Sequence, residues 1–345
     1  MESLKDYSLN ISEDEYHAYP AWSHSLIARY AREGFSSIAT LHDKFTPNAA
    51  MEFGSLFDSI MTRGRQTLED YYVMDISVPE AERKALDYIS TCTTMPWASL
   101  DPQFIYDRCQ ECGYQSKWGV KAKYEHLNPF AEYYNVKKSG KKIVSQKDWD
   151  DAMEMARVFR NDEYLSGIFG TKNTKDVEYL YQLQFCQDVV LASGRTVKVK
   201  CMPDLLVVNH KDKTIQPVDL KTSTNPGWSF DENFIRMRYD IEASLYSDLI
   251  ALTIDKSQKY REYTILDYLF TDISRTDKVP VTIWYPQNDE SQRNGLSFTK
   301  NDKTYQYKSW MALLDEILDY EETEAKVPSY IKLDGPNNIL ELLSR

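Results

Sequence analysis

Two short apolar runs, 204–208 and 215–220, are joined by the polar turn Asn209-His210-Lys211-Asp212, and they carry charge where apolar strands rarely hold it. Runs of this length and composition, separated by turn residues, predict a β-hairpin. Centring the turn between Lys211 and Asp212 sets Asp204 directly opposite Asp219. Side chains alternate along a strand, so Asp219 and Lys221 share a face. Two neighbouring carboxylates resist joint ionisation unless a cation lies between them. All-oxygen ligation favours a hard ion such as Mg²⁺ or Mn²⁺. Such an ion lowers the pKa of bound water and neutralises charge on a phosphoryl oxygen, while Lys221 orients the water or stabilises the transition state. The same three residues also occur by chance in purely structural hairpins. Pro217 adds a difficulty, since proline donates nothing to a central ladder, and it predicts a bulge or bend that re-aims the strand.

Around this hairpin the first half of the chain reads as helical. Periodicity predicts a helix from about residue 22, capped by Ser23 or Ser25, and further helices over 49–62, 80–94 and 145–160, the last opened by Ser145 with Asp148 three residues on. Residues 1–20 read as loosely ordered, and the Lys-, Tyr- and Trp-rich stretch 100–142 gives no clear period. From about residue 176 the pattern becomes strand-like over 177–186, 196–201, 205–208 and 215–220. A helix over 231–252, strands over 260–270 and 279–284, and a helix over 304–322 follow. The expected division is a helical region 1–165, an α/β core 166–275 and a strand-and-helix extension 276–345.

The formal net charge of −12 argues against a protein that coats nucleic acid nonspecifically, but leaves room for an acidic metal site beside a small basic channel. Five cysteines, odd in number and widely spaced, do not form a disulfide framework, and Cys109-x-x-Cys112 lacks the second ligand pair of a zinc site. No apolar run reaches membrane-spanning length, and residues 1–20 carry no leader pattern, so no membrane association and a cytoplasmic location are expected. The five histidines show no ligand spacing.

Met202-Pro203-Asp204 followed by Val218-Asp219-Leu220-Lys221-Thr222 resembles the two defining motifs of the PD-(D/E)XK nuclease superfamily, and within it the RecE-type phage and prophage recombination exonucleases and, more distantly, lambda exonuclease. Further pieces occur in the family's order: Trp22-Ser23-His24-Ser25-Leu26 resembles its early serine-bearing helix start, Phe53-Gly54 with Asp58 its F-G-x-x-x-H motif, Glu178 the glutamate of its first core strand, and Tyr239, Glu242 and Tyr246 its Y-x-x-Q-x-x-x-Y helix. The resemblance implies a restriction-endonuclease-like α/β fold, a central mixed β-sheet flanked by helices and preceded by a helical region that contributes to the active site. It implies catalysis by Lys221, Asp204, Asp219 and Glu178, and two Mg²⁺ or Mn²⁺ ions held by Asp204, Asp219, Asp58 and Glu178. It places Ser25, Arg29, Tyr239, Glu242 and Tyr246 against substrate.

The chain departs from the family twice, with Asp58 in place of a histidine and Glu242 in place of a glutamine. No cysteine follows Cys201, so no iron–sulfur cluster is expected. The implied activity is exonucleolytic digestion of linear duplex DNA from an end, beside a single-strand annealing protein, and the resemblance is compatible with a homo-oligomer. A structure-specific endonuclease, a single-strand nuclease and a catalytically silent end-binding or protein-binding module remain alternatives. Ser25 and Arg29 read equally as a cap and a solvated cation, the two tyrosines as core, and Lys117, Lys121 and Lys123 as a solvated face or a stacking channel.

Overall fold

The hairpin lies at the centre of a six-stranded mixed sheet. The computed structural model describes residues 2–43, 47–75, 77–170, 172–286, 295–300 and 302–322. Of the extension expected over 276–345, residues 287–294, 301 and 323–345 lie outside the described residues. Two compact units form, Met1–Ala50 with Val158–Arg345, and Met51–Arg157. The stretch 1–165 is thus shared between the two units, while 166–275 and 276–345 belong to one.

The first unit contains helix α1 (His24–Glu33), strands β1 (Val177–Tyr181), β2 (Phe185–Val190), β3 (Thr196–Cys201), β4 (Leu205–Asn209) and β5 (Thr214–Ser223), helices α2 (Phe230–Met237) and α3 (Tyr239–Ile254), strands β6 (Thr264–Ile265), β7 (Tyr268–Ser274) and β8 (Pro280–Tyr285), and helix α4 (Trp310–Glu322). The sheet order is β8-β7-β5-β4-β1, with β6 also on β5. Strands β5 and β7 run parallel and the β8–β7, β5–β4 and β4–β1 pairs antiparallel, which makes a central mixed sheet flanked by helices. Its α3 side buries Leu206, Val208, Ile215 and Phe270 with Ile27 and Tyr30 of α1, Leu245 and Leu249 of α3, and Leu313 and Ile317 of α4. Helix α3 is buried on nearly every side, as expected of an apolar interior helix.

Several boundaries differ from those expected. The strand expected over 177–186 breaks at Gln182, whose φ of 51° ends β1 and turns the chain into the separate β2–β3 hairpin. The helix expected over 231–252 breaks at Arg238, which adopts φ 60°. There the buried guanidinium pairs with Asp240 through two bonds of 2.9 and 3.0 Å and lies 4.6 Å from the Tyr307 ring. That bidentate lock sets where α3 begins. Part of the helix expected over 304–322 is instead a strand, Lys303–Gln306, preceding α4.

Residues 2–20 are well structured, contrary to expectation. Ser3 and Ser12 each form a capping box, and Leu4 and Tyr16 are buried. Lys200 of β3 reaches beneath this segment and donates to the carbonyls of Tyr16, His17 and Tyr19 at 2.5, 3.1 and 2.9 Å. Trp22 then bridges to β3, its N–H donating to Lys198 O and its carbonyl accepting from Lys200 N. The chain is fastened to β3 just before α1, so the first residue of α1, His24, is firmly placed.

The second unit packs helices Glu80–Cys92, Pro102–Glu111, Val120–Leu127 and Ala131–Lys138 around Leu86, Ile89, Trp97, Ile105 and Tyr134. The 100–142 stretch therefore folds as three helices, the first opened by the Asp101 cap and Pro102. Lys123 is fully buried, 4.7 Å from the Tyr106 ring centre, and does not belong to a solvated basic face.

Candidate functional site

Strands β4 and β5 pair Leu205 with Val218 and Asn209 with Thr214. One step further along this register, Asp204 stands opposite Asp219, as the turn predicts. The Asp204 carboxylate accepts the Leu220 N–H at 2.7 Å, so its position is tied to the β5 backbone. Pro217 sits where the partner of β5 changes. Ile215 pairs with Ile265 and Val218 with Leu269, so the parallel register slips by one residue across Gln216-Pro217. The missing proline N–H falls in this slip, and the Gln216 amide closes it by donating to the carbonyls of Pro217 and Asp267.

Beyond the slip, Asp219 and Lys221 face α3. The Lys221 ammonium lies 2.7 Å from Asp219 Oδ2 and 2.9 Å from Glu242 Oε2. Both carboxylates are almost fully buried. Aromatic rings enclose the ammonium further, Tyr239 at 4.8 Å and Phe270 at 6.0 Å from their centres. Burial first, and then the Glu242 charge, pushes the Asp219 carboxyl up to about 7, against the opposing pull of Lys221. Burial also works against the charge on Lys221, but Asp219 and Glu242 outweigh it and hold the amine well above its ordinary range.

Histidine 24 joins this cluster, although nothing in its spacing announced it. Its Nδ1 lies 2.8 Å from the Tyr246 hydroxyl, across 222 positions of sequence, and its Nε2 lies 3.5 Å from Glu242 Oε1. Burial first, and then the Lys221 ammonium, depresses the imidazole to about 3, so the ring is neutral. Burial raises the Tyr246 phenol well above its usual range, so its hydroxyl keeps its proton and is able to donate to Nδ1. In that arrangement the His24 proton is on Nε2 and faces Glu242. The tyrosine and glutamate spacing on α3 was legible as one helical face; the position of α1 against it was not, because β3 provides the anchor.

A third carboxylate stands beside Lys221 in the sheet. Asp272 of β7 pairs with Lys221 in the parallel ladder, is 1% exposed, and accepts from Ser223 Oγ at 2.9 Å through Oδ2, while Oδ1 has no hydrogen-bond partner. Burial pushes this carboxyl up to about 6.

Other expected site residues lie elsewhere. Glu178 pairs with Val208 on β4, four residue steps from Asp204 and so about 13 Å along the strand. It faces His210 at 3.5 Å and does not join Asp204 and Asp219. Arg29 is engaged by Glu33 at 3.1 Å and by the Thr40 carbonyl and hydroxyl at 2.8 and 3.0 Å, which turns it to local bracing. Ser25 is exposed and bonds Ser23 Oγ at 2.9 Å. Asp58 lies on helix Ala49–Arg63, in the unit Met51–Arg157, whereas Asp204, Asp219, Lys221 and Glu242 belong to the first unit.

Among the described residues no three His, Cys, Asp or Glu side chains are already gathered as a metal cage. The donor chemistry nonetheless suits a hard cation. Asp219 Oδ2 and Glu242 Oε2 converge on one cationic atom, the Lys221 ammonium, which marks a place where buried carboxylates accept positive charge. Among the described residues no helix is long and apolar enough to cross a membrane.

Neither a family model nor a curated protein matches this chain. Among solved structures the chain is similar to the archaeal protein SSO0001, at 9% identity over 81% of this chain and 88% of that one, with a TM-score of 0.28. A likeness this distant carries no argument about activity.

Proposed function

We propose that this protein is a metal-dependent deoxyribonuclease of the PD-(D/E)XK type, acting as an exonuclease on linear duplex ends. One observation carries the reading. Asp219 and Lys221 share one face of β5, Asp204 stands in the row opposite Asp219, and Glu242 is brought to Lys221 from α3. Three carboxylates and one ammonium concentrated on a sheet face that is otherwise packed with apolar side chains cost stability, and such a cost is commonly retained for chemistry.

Asp219, Glu242 and Asp204 would hold Mg²⁺ or Mn²⁺. When bound, the ion supplies a water of lowered pKa and charge neutralisation at the phosphate. Lys221, released from the carboxylates the cation takes over, aims its charge at the phosphate or the attacking water. His24 and Tyr246 hold Glu242 in place, and Tyr239 keeps the ammonium on its ring face. A net charge of −12 leaves strand binding to local contacts with phosphate, which read no sequence.

The test uses end-labelled linear duplex and covalently closed circles, each with Mg²⁺ or Mn²⁺. Loss of linear duplex from its ends, with circles spared and Lys221→Ala inactive, supports the reading. Nicking of closed circles moves the protein to the endonucleases. Binding to ends without cleavage at any metal concentration leaves the silent end-binding module.

A further inference from the structure

Beyond Ser223, β5 leads into the loop 224–229, which is pinned on both sides. The Thr276 hydroxyl donates to Thr224 O at 2.7 Å, Gly227 N donates to Asp277 Oδ2 at 3.2 Å, and Ser229 folds back on the Pro226 carbonyl through its N–H and hydroxyl at 3.0 and 2.9 Å. Gly227 lies directly on β8. A Cβ there would meet Val281 Cγ2 at 2.7 Å and the Val279 carbonyl at 3.2 Å, so only glycine allows this approach. The next residue, Trp228, is 80% exposed, and Val279, whose carbonyl Gly227 approaches, is 53% exposed.

The ladder locates this loop relative to the proposed active centre. Val281 pairs with Asp272 on β7, and Asp272 pairs with Lys221 on β5, so the three form one row across the sheet. Neighbouring strands lie about 4.8 Å apart, which puts the seat of Gly227 about 10 Å from the Lys221 backbone. Trp228, the next residue, is therefore held on a braced loop whose seat is about 10 Å from the Lys221 backbone. Leaving a whole indole in water forfeits the burial that such a side chain ordinarily gains. One ring with one valine is too small for a protein interface core, but it matches the face of a nucleobase.

We propose that Trp228 is a nucleobase-stacking subsite, on which a base of the strand led to Lys221 lies flat. This rests on the nuclease reading above. Stacking recognises the π-face that every base shares, so the subsite grips the strand without reading its sequence.

The test measures binding of a 5′-fluorescein single-stranded oligonucleotide in Ca²⁺, with Mg²⁺ and Mn²⁺ left out, to the full chain and to Trp228→Ala, Trp228→Leu and Trp228→Tyr. The side chain is exposed, so circular dichroism should be the same in all four. The expected result is a loss of about tenfold in affinity for alanine and leucine and near-normal affinity for tyrosine, as for removal of one base–aromatic stack. With 2-aminopurine placed at successive positions from the strand end, one position is quenched by the wild type and the tyrosine variant but not by the alanine variant. Unchanged affinity in Trp228→Ala overturns the proposal, and so does recovery by leucine, which marks an apolar contact without stacking. Wild-type protein that cuts duplex in Mg²⁺ while Trp228→Ala binds normally removes only the stacking subsite. Wild-type protein that neither binds nor cuts removes the nuclease reading and the subsite together.

Discussion

Lys221 and Glu242 meet at 2.9 Å, a strand ammonium against a helix carboxylate, and the same ammonium reaches Asp219 at 2.7 Å. The nuclease pattern proposed for this chain carries glutamine at the helix position. Glutamate there adds a second buried negative charge beside Asp219, and this charge, after burial, helps push the Asp219 carboxyl up to about 7. Glu242→Gln is therefore expected to lower the Asp219 titration midpoint toward the ordinary carboxylate range. Carboxyl ¹³C chemical shifts in the metal-free protein measure it. An unchanged midpoint would remove Glu242 from the electrostatics of the site.

Removing the ammonium has a cost to the fold as well as to the chemistry. Lys221→Met leaves Asp219 and Glu242 buried together without a counter-charge, and breaking a buried pair in this way destabilises by on the order of 3 kcal/mol. The metal-free variant should lose that much in urea denaturation near neutral pH, and cleavage should fall by at least about a hundredfold. Adding Glu242→Gln should restore most of the stability and none of the cleavage. Full activity in either variant rejects the proposed role of Lys221.

The core of this site was readable because a hairpin's register follows from its turn: Asn209 to Asp212 determine which residue faces Asp219. Two parts were not readable. His24 reaches Glu242 only because Lys200 and Trp22 fasten the chain to β3, a tertiary contact with no periodic signature. Asp272 belongs to a parallel strand whose register depends on the slip at Pro217, so no local pattern announced that it would stand beside Lys221. Glu178 failed for a related reason. Its strand and face were legible, but its row along the sheet depends on where β1 ends, at Gln182.

Asp272 gives a stability dependence of definite sign. Its carboxyl is raised from 3.8 to about 6 in the folded chain, so the folded state binds the proton more tightly than the unfolded state. Its contribution is fully present below about pH 4 and is lost as pH rises to about 6. Asp272→Asn removes that loss. The variant should gain stability relative to the wild type as pH goes from 4 to 7, by on the order of 3 kcal/mol at most. Urea denaturation of both proteins at several pH values measures the difference. A difference that does not change with pH would show that Asp272 titrates alike folded and unfolded.

His24 gives the opposite slope. Its imidazole is depressed to about 3 in the folded chain against an ordinary 6.5, so between these values the unfolded state binds the proton that the folded state refuses. Stability contributed by the neutral ring is complete above about pH 6.5 and is lost as pH falls toward 3. His24→Gln keeps an amide donor for Glu242 but cannot take up a proton. The variant is therefore expected to track the wild type in pH dependence above 7 and to gain on it below 6, by on the order of 2 kcal/mol near pH 4.5. The titratable and charged groups around the ring are Glu242, Tyr246, Lys221, Asp219 and Arg32, and none of them is altered by the substitution. If the wild type instead gains on the variant as the solution is acidified, the ring is protonated in the folded state. It would then form a charged pair with Glu242, and the Tyr246 hydroxyl would have to accept from Nδ1 rather than donate to it.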